Sequence, residues 1–109
     1  MEDRPQAAVY QLYDKDGRTL YVGSSIRPTQ RLVQHSKKPW WPQVDPSRTV
    51  ITWYADDFAA AIVEYQTALR DKPLHTKPHP RNGTLLLDRL IAEGHDLTPI
   101  PAPVVSTAA

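Results

Sequence analysis

The dipeptide Asp16-Gly17, set between two β-rich runs, constrains this chain more than any other feature. Ala8 to Tyr13 reads AVYQLY and Thr19 to Gly23 reads TLYVG. Asp-Gly between such runs is a strong β-hairpin signal, because its residues accept the positive φ that tight turns require. If Asp16 and Gly17 form a two-residue loop, Leu12 faces Tyr21 and Tyr10 faces Gly23. If Asp14 to Gly17 form a four-residue loop, Tyr10 faces Tyr21 directly. In both registers the two tyrosines share one face of the sheet. A three- or five-residue loop with a bulge would break that inference.

A helix is expected next, from about Pro28 to Ser36, with Ser24 or Ser25 as cap, Pro28 in its first turn and Pro39 beyond its end. Arg31 and His35 then stack on one helix face. The segment 37–48 holds Trp40, Trp41 and three prolines and reads as an irregular connection. Thr49 to Tyr54 reads as a third strand. Asp56 or Asp57 caps a long helix over about Asp57 to Arg70, with Phe58, Ile62, Tyr65 and Leu69 as its apolar stripe. A short helix is expected over 84–93, stopped by Gly94. The tail from Thr98, rich in Pro, Ala and Val, is expected to be disordered. The order β-β-α-β-α implies an α+β domain, with helices packed on a small mixed or antiparallel three-stranded sheet.

At 109 residues the chain is large enough for one modest core. It contains no cysteine, which excludes disulfides and thiolate metal sites and is compatible with a cytoplasmic location. Glu2, Asp3 and Arg4 follow Met1, a pattern that argues against a signal peptide. No apolar run reaches the roughly 20 residues that cross a bilayer. A net charge of +1 gives no bulk support to a nucleic-acid partner, so such support must come from local placement.

Taken singly, the chemically capable residues have ordinary explanations. Tyrosines suit strands. Arg31 and His35 can form a surface or helix C-terminal charge pair. Trp40-Trp41-Pro42 reads first as a hydrophobic plug and second as a base-stacking surface. His75 and His79 are separated by Pro78, which rules against a helical metal pair. Glu64 lies roughly 130° from the centre of the apolar stripe, on a flank with Ala60, Ala61 and Ala68. A carboxylate there could hold Mg²⁺, although a glutamate off the stripe is most often simply solvated.

In order and spacing, however, these residues resemble the GIY-YIG nuclease family over residues 8 to 76. The two signature tripeptides align with Ala8-Val9-Tyr10 and Tyr21-Val22-Gly23. The family's helical arginine and histidine fall on Arg31 and His35, its glutamate on Glu64, and its Pro-Leu-Tyr-Asn on Pro73-Leu74-His75-Thr76. Ala8-Val9 replaces Gly-Ile, and Thr76 stands where asparagine is common. Residues 1–7 and 77–109 would be extensions, the latter short for the separate DNA-binding domain that often accompanies the module.

The resemblance implies a small α/β sandwich around a three-stranded antiparallel sheet, and divalent-metal-dependent hydrolysis of DNA phosphodiesters. By that resemblance Glu64 would hold Mg²⁺ (or Mn²⁺). Arg31 would offset charge developing on the phosphoryl oxygens. A tyrosine, Tyr10 first and Tyr21 second, would activate water, with Arg31, the metal or His35 lowering its pKa. Arg27, Lys37, Lys38, Thr76 and Lys77 would meet the DNA backbone. Oligomeric state is left open; one such site cuts one strand. The alternative is a non-catalytic nucleic-acid- or protein-binding module that keeps the fold.

Overall fold

A computed structural model describes residues 5–75, 94 and 96–103. The chain runs β1 (Ala7–Tyr13), β2 (Thr19–Ser25), α1 (Pro28–His35), β3 (Val50–Tyr54), α2 (Asp57–Asp71) and β4 (Pro99–Ile100). The strands form one antiparallel sheet in the order β2-β1-β3-β4. The expected α+β architecture is present, with one strand more than the sequence pattern suggests. The helix expected over 84–93 lies outside the described residues.

The hairpin reaches the expected facing of its tyrosines by an unexpected route. Asp14 and Arg18 close a three-residue loop through Asp14 N–H to Arg18 O (3.0 Å), and Gly17 adopts φ +85°. The Asp14 carboxylate accepts from the amides of Asp16 and Arg18, both at 2.9 Å, which fixes the turn. A loop of this length alone would shift the pairing by one residue. A bulge between Leu12 and Tyr13 shifts it back, so Leu12 pairs with Tyr21 and Tyr10 with Gly23. The buried Leu20 is the extra residue.

That register puts the Tyr10 phenol directly over Gly23. A Cβ at Gly23 would fall within the Tyr10 phenol, closer than carbon ever packs, and 2.9 Å from the Tyr21 ring. The tyrosine pair therefore requires glycine here for want of space, not for its backbone angles.

Alternation along the strands separates two faces. Ala7, Val9, Val22 and Tyr54 pack with Ala59 and Ala60 of α2, with Val63 and Leu97 beside them. Tyr10 points to the other face, where α1 brings His35. The sheet thus lies between the two helices.

Helix α2 buries the stripe chosen from hydropathy only in part. Ile62 is buried and Phe58 and Tyr65 are half-buried, but Leu69 is 48% exposed, and Ala59, Ala60, Thr67 and Ala68 are buried in addition. Small residues win because they let the helix axis approach the sheet closely, an advantage that side-chain hydropathy does not register. Asp56 caps α2, accepting from Ala59 N–H at 2.8 Å. Helix α1 departs from expectation at its start. Its N-cap is Arg27, with no side-chain cap. Ser24 and Ser25 remain in β2, paired with Val9 and Ala8. Pro28 at the first helical position removes one of the amides that would need a cap.

The segment after α1 folds into single 3-10 turns at Trp41–Gln43 and Pro46–Arg48. Of the tail expected to be disordered from Thr98, Pro99 and Ile100 instead form β4, paired with Tyr54 and Trp53, while 104–109 lie outside the described residues. Composition alone misled there: proline is tolerated on an edge strand, and the pairing partner lies far away in sequence.

Gly23→Ala should destabilise the fold by about 1–3 kcal/mol, the range for overpacking a filled site. Urea denaturation of the two proteins measures this. A change below about 0.5 kcal/mol, as for an ordinary surface site, would show that the Tyr10–Gly23 contact is slack.

Candidate active site

On the α1 face, Tyr10 is fully buried and His35 is 5% exposed. The Tyr10 hydroxyl and His35 Nε2 are 2.8 Å apart. Tyr21 lies above them, its ring centroid 4.4 Å from His35 and 6.0 Å from Tyr10. Arg31 sits one turn before His35, and its Nη1 donates to Gln34 Oε1 at 2.7 Å. Tyr21, Arg31 and His35 open onto one cavity of about 360 Å³, walled further by Gln34, Lys38, Trp40 and His75. Tyr10 is not on that wall; it lies behind Tyr21 and His35.

Burial pushes the Tyr10 phenol up to about 12, and the charges of Tyr21 and Glu64 add to the push, while Arg31 pulls the other way. The help expected from Arg31 is thus present but outweighed by desolvation. Burial also holds His35 below its ordinary value, with the positive charges of Arg31 and Lys38 acting in the same direction. Both groups are neutral, so either the phenol donates to Nε2 or Nε2–H donates to the phenol oxygen, according to the imidazole tautomer; the other ring nitrogen is Nδ1. That Nδ1 is buried with no hydrogen-bond partner among the described residues.

Glu64 arrives from the opposite face of the sheet. Its half-buried carboxylate accepts from Ser24 Oγ at 2.6 Å. The solvated-glutamate reading does not hold: the carboxylate is tethered to Ser24, and of its flank Ala60 and Ala68 are buried while Ala61 is exposed. Ser24 follows Gly23 in β2, so adjacent residues carry the two halves: Gly23 seats Tyr10 and Ser24 tethers Glu64. In the sequence Ser24 stands out only as a helix cap; its pairing with Val9 is what turns it to the α2 side.

No group of three His, Cys, Asp or Glu side chains that could hold a metal occurs among the described residues. A single carboxylate suits a hard ion such as Mg²⁺, which keeps most of its waters and binds one or two protein carboxylates. It does not suit a tetrahedral zinc site, which needs three or four protein ligands.

Of the basic residues named from the sequence, Arg27, Lys37 and Lys38 are exposed at the two ends of α1, and only Lys38 borders the cavity. Thr76 and Lys77 lie outside the described residues.

Three wall residues, Gln34, Trp40 and His75, are not among the site residues expected from the sequence. Trp40, read from the sequence first as a plug and second as a base-stacking surface, stacks on Tyr21 (5.6 Å, 17°) and on His75 (4.9 Å, 7°). His75 is held by Gln43 Oε1 at 3.1 Å and by its amide, which donates to Leu20 O at 2.8 Å. Its place in the Pro-Leu-His-Thr stretch was the available signal.

A family model described as the GIY-YIG catalytic domain matches residues 6–73. No curated protein and no solved structure matches the chain.

The neutral state of His35 has a consequence for stability. The unfolded chain protonates this residue near ~6.5, whereas the folded chain resists until a lower pH. Between those values the unfolded state binds more protons, so stability falls as pH drops below about 6.5. Urea midpoints from pH 8 to pH 5 should show this loss, and His35→Gln should flatten it. An unchanged slope in the variant would contradict the buried neutral imidazole.

Proposed function

The chain belongs to the GIY-YIG nuclease family, and from that premise we propose that it is a divalent-metal-dependent endonuclease that hydrolyses DNA phosphodiesters. One observation carries the reading: Tyr21, Arg31 and His35 converge on one open cavity, with Tyr10 locked behind them.

The scissile phosphate enters beside Arg31, whose planar guanidinium can pair two phosphoryl oxygens and offset the charge that builds there. Tyr21 orients the attacking water and, when ionised, takes its proton. We assign this role to Tyr21 ahead of Tyr10. Tyr10 has no exposed surface, and burial raises its phenol to about 12. Tyr10 and His35 act as positioning residues, their hydrogen bond supporting the floor on which the Tyr21 ring rests. Glu64, held by Ser24, would carry the divalent ion, Mg²⁺ or Mn²⁺. When bound, such an ion polarises the phosphate and stabilises the leaving oxygen. Arg27, Lys37 and Lys38, with Thr76 and Lys77, would meet the flanking backbone.

Nicking of plasmid DNA in Mg²⁺ or Mn²⁺, followed by gel electrophoresis, tests the proposal. The full chain should cut, EDTA should stop it, and Glu64→Ala and Arg31→Ala should each slow it by at least ~100-fold. No cleavage of any DNA, with salt-sensitive binding intact, would favour the non-catalytic binding module. Full activity in Glu64→Ala would remove the metal ligand.

A further inference from the structure

The cavity wall combines two kinds of chemistry that one phosphodiester does not require together. The rings of Tyr21, Trp40 and His75 form a run of near-parallel faces, tilted by only 17° and 7° at its two steps. The same cavity is also lined by two cations, Arg31 and Lys38, and by the amide of Gln34. Flat π-faces serve a nucleobase; guanidinium and ammonium groups serve its phosphate. The wall is built in advance, because Gln43 and the Leu20 carbonyl hold His75 in its stacked position. Trp40 and His75 are both half-exposed.

Size decides which nucleic acid can use this wall. At about 360 Å³ the cavity is at the small end of ligand pockets, which run from about 300 to 1,000 Å³. A single nucleotide can sit within its walls, whereas a base pair would have to stand largely outside them. In a perfect duplex the faces of every base are covered by its neighbours, so no base can reach the wall without leaving the stack.

Resting on the nuclease reading, we propose that the Trp40–His75 wall receives one unpaired nucleotide next to the scissile phosphate. The preferred substrate is then DNA with an unpaired position beside the cut, not continuous duplex. Trp40 is a specificity residue in this account and takes no part in bond breaking.

The test compares cleavage by the full chain of three matched DNAs: a perfect duplex, the same duplex with one unpaired base, and a version with an abasic residue at that position. The expected ratio of kcat/KM between the unpaired-base substrate and the perfect duplex is about tenfold or more, the worth of one base–aromatic stack. That ratio should fall towards one in Trp40→Ala and survive largely in Trp40→Phe. With the wild-type protein, the abasic substrate should lose the advantage without any change to the fold. Separately, 2-aminopurine at the unpaired position should lose fluorescence when the protein binds in EDTA, and should lose less with Trp40→Ala. A ratio near one in the wild type, an unchanged ratio in Trp40→Ala, or no change in 2-aminopurine emission would overturn the proposal. If no DNA is cut but the Trp40-dependent fluorescence change is present, the nuclease reading fails while the nucleotide site stands.

Discussion

The contact between the Tyr10 phenol and Gly23 is the constraint on which the rest of this structure depends. Because residue 23 has no side chain, Tyr10 can lie flat across β2 and reach His35 on α1. That hydrogen bond pins the end of α1 against the sheet, and the pinned imidazole in turn carries the Tyr21 ring at 4.4 Å. Arg31, one turn earlier on the same helix, is thereby aimed into the space above. A methyl group at position 23 would disturb each of these placements in sequence.

The next residue extends the arrangement through the sheet. Ser24 points to the α2 face and holds Glu64, which shares its helix with the buried Ala60 and Ala68. One dipeptide therefore couples a cationic, aromatic half-site to an acidic one across a single strand. The charges are kept apart by backbone, yet the field of Glu64 still reaches Tyr10. Burial keeps Tyr10 protonated and His35 neutral, so the floor of the cavity carries no charge. Arg31 and Lys38 supply the positive potential at its rim, where an anionic backbone would meet it.

Much of this was legible in the sequence, for reasons that are local. The shared face of Tyr10 and Tyr21 followed from strand alternation, and the pairing of Arg31 with His35 from helical spacing. The three-residue loop should have broken the first inference. It did not, because the bulge at Leu12/Tyr13 restores the register, and a bulge leaves no clear mark in a single sequence. The features that escaped depend on distant partners. The buried stripe of α2 is legible only in part: Ile62 is buried as its hydropathy suggests, but Leu69 is exposed where Ala59, Ala60 and Ala68 are buried instead. β4 was hidden because Pro99 and Ile100 become a strand only beside Trp53 and Tyr54. The roles of Ser24, Trp40 and His75 arise from contacts across 40, 19 and 55 residues of chain respectively, to Glu64, Tyr21 and Leu20.

In the proposed mechanism Tyr21, not the more deeply placed Tyr10, faces the reacting water. Single-turnover cleavage of DNA by Tyr21→Phe and Tyr10→Phe measures this most directly, since phenylalanine keeps both ring stacks and removes only the hydroxyl. The predicted result is a loss of at least ~100-fold in Tyr21→Phe, the usual worth of a general base, with DNA affinity retained and a smaller loss in Tyr10→Phe. A Tyr21→Phe protein that cuts at the wild-type rate, or a Tyr10→Phe protein that is the more damaged of the two, would contradict it.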